Sequence, residues 1–371
     1  MAKKNCQIFG AVIFSVFLSM GCIILENTVK SQGAESTIEE NPEKGDLYNQ
    51  YGLPVGEELS KKKIWENESL VFYTDRILDF QQFEEDSAAN IFERVQELKN
   101  RCSQNGDASC EFYLIPVPTR AMWENGYEQE TERYEKLLKD IRSLVKEDVK
   151  IIDVLPELKE HPDEYLYFRT ENCWTMRGAF YGMQEVRREL GEQEERLENY
   201  WEYMYGRFSG SLKAHVVTEC PEYSDVVEGV RSDPFYIYIK PDNPNREEVM
   251  MENDDGVLEK IKRHTIRMGG SGLETVIGNH YLHSVVSGSG KDGILLIADS
   301  KGKLLAPYLA ELYETVYVVN IYRDVDFVDE MEEILRKYGI SQIIWAQNAT
   351  EMGNSSYTNA LNQFMMTGEV S

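Results

Sequence analysis

Apolar runs alternate with amphipathic helical segments after about residue 290, and this alternation limits the possible folds more than any other feature. The apolar runs at 293–298, 316–319 and 341–345 are typical of buried strands. Apolar residues at helical spacing separate them at 304–312 and 328–338. Strands that alternate with helices predict a parallel sheet that is covered on both faces.

The first half of the chain shows the same rhythm, which predicts two strands and three helices at 87–98, 112–115, 134–145, 149–154 and 175–190. The segment from about 205 to 290 is different, because short alternating runs there are broken by Pro, Gly and Asn. These runs predict a β-rich insertion into the α/β fold.

An uncharged run at residues 8–25 follows Lys3 and Lys4. As a helix it would be about 27 Å long, which is close to the thickness of the bilayer hydrocarbon. Lysines before the run predict a cytoplasmic N-terminus and an uncleaved single-pass anchor in the cell membrane. A lipid-modified Cys22 and an ordinary cleaved signal peptide are the alternatives. All three interpretations place the remaining chain outside the membrane.

The predicted organisation is therefore a cytoplasmic tip with a membrane anchor at 1–25, a polar linker at 26–60 and an extracytoplasmic domain at 61–371. In that location Cys102 and Cys110, which flank a polar turn, could form a disulfide or remain free thiols. Acidic residues outnumber basic ones by 65 to 39, for a net charge of −26. This balance argues against a nucleic-acid partner, because neutralising phosphates requires a basic face.

Asp299 and Ser300 directly follow the strand predicted at 293–298. Functional groups of a parallel sheet lie beyond the carboxyl ends of its strands. A serine at such a turn can expose its hydroxyl beside backbone N–H groups that stabilise an oxyanion. The alternative is a serine that only caps the following helix.

The segment 167–175 reads Tyr-Phe-Arg-Thr-Glu-Asn-Cys-Trp-Thr and resembles the signature of the DHHW family. In that family the stretch is usually Thr-Asp-His-His-Trp-Thr, and a later strand ends in Asp-Ser. Three other segments are similar to the family's Pro-Thr-Lys, Gly-Ser and Gly-Gly segments, at 117–120, 208–212 and 268–270. The family is extracytoplasmic and related to the SGNH-hydrolase-like proteins of alginate O-acetylation.

This resemblance implies a three-layer α/β sandwich of the SGNH-hydrolase type. It also implies a serine nucleophile whose proton is taken by a histidine, which an aspartate orients. The reaction would transfer an acetyl group to a sugar hydroxyl, or hydrolyse it. The implied partners are a cell-surface polysaccharide and a membrane-bound O-acyltransferase, and neither a cofactor nor a metal ion is expected.

The chain departs from the family pattern at the triad positions. Glu171 stands at the aspartate position, Asn172 follows it, and Cys173 stands at the position of the general base. A thiol with a pKa near 8.5 is mostly protonated at neutral pH and is a poor proton acceptor. Of the implied triad only Ser300 is retained, and none of the five histidines lies in a matching motif.

The predicted site therefore combines the three triad positions with further pocket residues: Ser300, Glu171, Cys173, Asp299, Asn172, Trp174 and Arg169. Trp174 is expected in the core or in a pocket wall. The predicted function is an auxiliary, catalytically impaired role in O-acetylation of a surface polysaccharide. The alternative is an active acetyltransferase or acetylesterase that uses Ser300 with a substitute base.

Overall fold

A computed structural model describes residues 62–352, apart from 81–82, 84–85, 105–109, 146–148, 229, 242–245, 253–257, 267–271, 279–280, 291 and 321–326. The predicted anchor and polar linker, the Gly-Gly segment and the Cys102 side chain lie outside the described residues. Those predictions therefore remain predictions. Within the described part of the chain, no helix combines the length and the apolar character that a membrane crossing requires.

Thirteen strands are described: β1 Lys63–Glu66, β2 Leu70–Tyr73, β3 Ile77–Asp79, β4 Glu111–Val117, β5 Val149–Ile151, β6 Trp201–Phe208, β7 Asp233–Ile239, β8 Arg246–Glu252, β9 Leu258–His264, β10 Tyr281–Ser287, β11 Gly293–Ala298, β12 Thr315–Asn320 and β13 Ile340–Asn348. Eight of them form a central sheet in the order β5-β4-β13-β11-β12-β10-β8-β9. The first five strands in this order, β5, β4, β13, β11 and β12, pair in parallel with their neighbours. The remaining three, β10, β8 and β9, add antiparallel pairs at one edge.

The described helices are α1 Ser87–Gln104, α2 Arg120–Trp123, α3 Glu128–Leu144, α4 Leu155–Lys159, α5 Met176–Glu189, α6 Ser211–Glu219, α7 Ser224–Glu228, α8 Ala306–Leu309, α9 Phe327–Lys337 and α10 Ala349–Met352. The strands and helices predicted from periodicity are confirmed as elements, but some bounds differ. The strand predicted at 149–154 ends at Ile151, and the helix predicted at 134–145 begins at Glu128. The helix expected at 304–312 begins as a 3-10 turn at Gly302–Leu305 and ends at Leu309. Its first turn is tighter than an α-helical turn.

The two faces of the sheet bury separate hydrophobic cores. Along β11, Ile294 and Leu296 pack into the core that contains Phe180 of α5. The alternate residues Leu295 and Ile297 pack into the core that contains Leu138 of α3. Because successive side chains of a strand point to opposite faces, both faces of β11 are covered. The fold is thus mixed α/β with a mostly parallel central sheet.

The strands between about 205 and 290 divide into two groups. Strands β8, β9 and β10 extend the central sheet, whereas β7 pairs with β6 in a separate two-stranded sheet. A small three-stranded sheet, β1-β2-β3, packs in a third apolar cluster with Leu212 and Val216 of α6. The strand-rich segment therefore contributes to the main sheet as well as to a hairpin beside it.

Candidate functional site

The carboxyl ends of β4, β13 and β11 lie at one edge of the sheet, because these strands are parallel neighbours. Asp299 follows β11 there and is buried. Its Oδ1 accepts hydrogen bonds from the backbone N–H groups of Lys301 at 2.9 Å and Gly302 at 2.7 Å. Its Oδ2 accepts from the N–H of Asn348 at the end of β13, at 3.1 Å. The Asp299 carboxylate therefore shapes the Ser300 turn and ties it to the neighbouring strand.

Ser300 lies half-buried on this turn, directly before the 3-10 turn. Within the part of the chain that the structure describes, its hydroxyl has no hydrogen-bond partner and does not cap the following turn. The turn approaches β13 closely, since a Cβ at Gly302 would lie 2.1 Å from the carbonyl oxygen of Ala346. The chain thus presents the Ser300 hydroxyl without using it to stabilise the turn.

The segment 167–175 folds as a short hairpin that leads into α5. Tyr167 and Trp174 form an antiparallel bridge, and the Phe168 N–H donates to the Cys173 carbonyl at 3.1 Å. Thr175 caps α5, because its hydroxyl accepts from the Gly178 N–H at 3.2 Å. The hairpin fixes the positions of the residues that resemble the family signature.

Trp174 joins this hairpin to the Ser300 turn. Its indole Nε1–H donates to the carbonyl oxygen of Lys301 at 3.1 Å, across 127 residues of sequence. The ring is fully buried, and it packs over Gly182 of α5, where a Cβ would lie 2.7 Å from Cζ3 of the ring. This placement agrees with the expectation that Trp174 lies in the core or in the wall of a pocket. Its N–H also gives it a direct part in positioning the turn.

Cys173 is buried in the same region, with 2% of its surface exposed. Burial raises the pKa of its thiol well above the ordinary value, and Lys301 opposes this rise only in part. The negative charges of Glu171 and Asp299 add to the rise, because they disfavour the thiolate. The residue at the general-base position is therefore a neutral thiol at neutral pH.

Three other predicted site residues form hydrogen bonds with partners other than Ser300. The Glu171 carboxylate accepts from the backbone N–H of Ser211 at 2.8 Å and from its hydroxyl at 3.0 Å, at the start of α6. Asn172 donates to Asp79 at 3.1 Å. The Arg169 guanidinium is buried and donates to Asp233 at 3.3 Å. The structure thus brings Cys173, Trp174, Asp299 and Ser300 together, while the other three anchor the hairpin.

Charged side chains surround the turn. Burial raises the pKa of Asp299, although Lys301 and the backbone donors oppose that change. Burial would lower the pKa of Lys301, but Glu351, which forms an ion pair with its Nζ, and Asp299 outweigh this effect and raise it. Lys303 is completely buried and donates to the carbonyl of Gly278 at 2.5 Å. The turn is therefore flanked by cations.

The described histidines occupy other positions. His161 bonds to Glu164 at 3.0 Å and stacks on a tyrosine, and His283 stacks on Tyr317. His215 and His264 are exposed. None of these four hydrogen-bonds to Ser300, and His280 lies outside the described residues. In residues 62–352 with the gaps given above, no group of three or more His, Cys, Asp or Glu side chains could hold a metal ion.

Sequence reasoning missed Asp233, the residue that organises the hairpin. Its carboxylate is fully buried and accepts from the Tyr165 hydroxyl at 2.7 Å and from the backbone N–H groups of Arg169 and Thr170 at 2.8 and 2.9 Å. The Thr170 hydroxyl also donates to it, at 2.5 Å. A single aspartate at the start of a Pro-containing strand carries no sequence signal for this role. The N–H donors lie 63 and 64 residues away along the chain.

These features define an α/β protein in which a serine-bearing turn lies at the carboxyl edge of a mostly parallel sheet. The chain belongs to the DHHW family, whose sequence profile, described as DHHW protein, matches residues 124–319. This match spans more than half of the chain. No curated protein matches the sequence.

Two solved structures are similar in fold. A DHHW family protein from Eubacterium siraeum DSM 15702 superposes with a TM-score of 0.64 at 17% identity, covering 81% of this chain and 97% of that one. PatB1 from Bacillus cereus, solved with a sulfonyl adduct, gives a TM-score of 0.58 at 14% identity, covering 80% and 98%. The profile match confirms the predicted family, and the two similar structures confirm the mixed α/β architecture.

Proposed function

We propose that this chain is a membrane-anchored DHHW protein that assists O-acetylation of a cell-surface polysaccharide while being catalytically impaired itself. The observation that supports the proposal most directly is that the residue at the general-base position, Cys173, is a protonated thiol. Cys173 is a buried thiol with a strongly raised pKa, and the Ser300 hydroxyl has no hydrogen-bond partner among the described residues. A serine nucleophile needs a base within hydrogen-bond reach, so Ser300 lacks its activating group.

The polysaccharide role rests on family membership and on the resemblance to proteins of alginate O-acetylation. In this proposal the domain binds the glycan or holds a partner in place. The partner that the pathway requires is a membrane-bound O-acyltransferase that supplies acetyl groups.

A second candidate function is an active acetyltransferase or acetylesterase that uses Ser300. One observation favours it: the Ser300 hydroxyl is half-buried and plays no structural part in the turn, so it is available for chemistry. This reading requires a base other than Cys173. Glu171 is the other ionisable candidate among the predicted triad positions, but its carboxylate accepts hydrogen bonds from Ser211.

Ester hydrolysis distinguishes the two functions. The full chain in detergent is expected to hydrolyse p-nitrophenyl acetate at the same rate as its Ser300→Ala variant, because a serine without a base is not activated. Ser289→Ala, which changes an exposed serine outside the site, serves as the matched control. A fall of about a hundredfold or more in Ser300→Ala alone would establish the active reading.

The location outside the membrane is part of the proposal and has its own test. Protease added to intact cells without their wall is expected to cleave the domain at 61–371, because residues 8–25 would hold it on the outer side. A cytoplasmic marker protein must stay intact in the same sample. Complete protection of the domain would contradict the proposed location.

A further inference from the structure

A cavity of about 300 Å³ lies on the face of the central sheet opposite to Trp174. It is bounded by residues of β9, β10, β12 and α9, and by Tyr338 just after α9. Its buried wall is formed by Tyr317 and Ile334, which belong to the core on the α9 side. Cys173 and Trp174 belong to the core on the other side. The cavity is therefore separate from the Ser300 site.

Aromatic rings line the inner part of the cavity. The ring of Tyr317, which is 3% exposed, stacks against His283 with 5.1 Å between ring centroids. The centroid of the Tyr338 ring lies 5.5 Å from that of Tyr317, and the Lys337 ammonium lies over the Tyr338 ring, 4.8 Å from its centroid. Both His283 and Tyr338 are partly exposed. The cavity thus offers a polarisable surface that can contact C–H groups, together with hydroxyl and imidazole groups that can form hydrogen bonds.

Charged side chains of both signs form the rim. Glu330 and Glu333 stand three residues apart on one face of α9, and Lys337 follows four residues after Glu333. Lys260 of β9 completes the rim. All four side chains belong to exposed residues, so the cavity opens to solvent on this side. Two carboxylates and two ammonium groups leave the rim without formal net charge.

This lining selects among ligand classes. A phosphorylated or otherwise strongly anionic ligand would meet two carboxylates on a chain of net charge −26. A wholly apolar ligand would displace water from four exposed charged side chains without offering them a hydrogen bond. An uncharged ring with many hydroxyl groups satisfies both conditions, because its hydroxyls can donate to carboxylates and accept from ammonium groups while its C–H face packs on aromatic rings. The volume is at the lower end for small-molecule pockets, which suits a single ring.

We propose that this cavity binds one pyranose ring of a glycan. Glu330 and Glu333 accept hydrogen bonds from the sugar hydroxyls, Lys260 and Lys337 donate to them, and Tyr338 contacts the C–H face of the ring. The open rim lets the neighbouring sugars of a chain extend into solvent. The inference deepens the glycan-binding part of the proposed function, because it places that binding in a cavity that requires no chemistry at Ser300 and lies on the other face of the sheet.

The test uses ligand-observed NMR on the full chain in a detergent without a sugar headgroup. The probes are the methyl glycosides of glucose, galactose and N-acetylglucosamine, with free glycine as a zwitterion. At least one glycoside is expected to bind the wild type, and Glu333→Gln to weaken its binding by about tenfold or more, because hydrogen bonds to charged groups are the strong ones. Glu332→Gln, an exposed neighbour on the same helix that does not line the cavity, should leave binding unchanged.

Each remaining outcome bears directly on the proposal. Failure of all three glycosides to bind the wild type overturns it, as does equal binding by wild type and Glu333→Gln. Binding of glycine in place of the glycosides would show a zwitterion site instead. Tyr338→Ala should also weaken binding, with its melting temperature measured to confirm folding. Ser300→Ala should bind as the wild type does, so a failure of the glycan site can be distinguished from a failure of the proposed catalytic impairment at Ser300.

Discussion

Asp233→Asn is expected to lower the free energy of unfolding by about 3–5 kcal/mol, because it removes a buried charge from a charged partner. The carboxylate accepts from Tyr165, from Thr170 and from both the backbone and the side chain of Arg169. An asparagine has one oxygen in place of two, and its NH₂ group would face donors. The Arg169 guanidinium, only 1% exposed, would lose the carboxylate that accepts from it.

Urea unfolding followed by circular dichroism measures this change, with Asp225→Asn as the matched control. Asp225 lies exposed at the start of α7, so its replacement should change stability by less than about 0.5 kcal/mol. The melting temperature of Asp233→Asn should fall by about 6–20 °C. A loss below about 1 kcal/mol would mean that Asp233 does not hold the hairpin.

Restoring the family's aspartate and histidine is expected to raise the rate of ester hydrolysis by about a hundredfold or more. This is the contribution of a positioned general base. The double variant is Glu171→Asp with Cys173→His. Cys173 lies in the region of the Ser300 turn, where an imidazole could accept the Ser300 proton. Shortening Glu171 also releases its carboxylate from Ser211, so that it can orient the imidazole instead.

Hydrolysis of p-nitrophenyl acetate is the measurement, and adding Ser300→Ala to the double variant is the control. The gain must vanish in this triple variant if Ser300 is the nucleophile. Cys173 is 2% exposed, so a larger imidazole strains the packing, and the melting temperature has to be measured alongside. A folded double variant without any gain would show that the missing base is not what limits Ser300.

The strands of the parallel half of the sheet could be predicted because burial on both faces restricts their residue types. A strand buried on both faces must be a continuous apolar run, and 293–298 is fully buried, as its sequence indicates. The partners of β8, β9 and β10 could not be predicted. Their alternating runs indicate strands, but alternation specifies an exposed face and a buried face and not which neighbour pairs with them.

The position of the Asp-Ser turn could be predicted, whereas the contacts around it could not. The Asp-Ser turn follows from a buried strand that ends in polar residues, and Trp174 was expected in the core or a pocket wall. The ties that hold the hairpin were not visible, because they join residues far apart along the chain. Glu171 meets Ser211 across 40 residues, and Arg169 meets Asp233 across 64. Family resemblance gave Glu171 a catalytic place, whereas its described contacts anchor it to α6.

The position of β13 affects the order in which this protein can fold. It is synthesised after β4, β5, β11 and β12, yet it lies at the centre of the parallel half of the sheet, between β4 and β11. Its pairing with β4 joins residues such as Glu111 and Gln342, so the loop to be closed is long and closing it is slow. The hydrogen bond from the Asn348 N–H to Asp299 also cannot form before the end of β13 has been synthesised. The Ser300 turn of a growing chain therefore lacks this hydrogen bond until β13 has been synthesised.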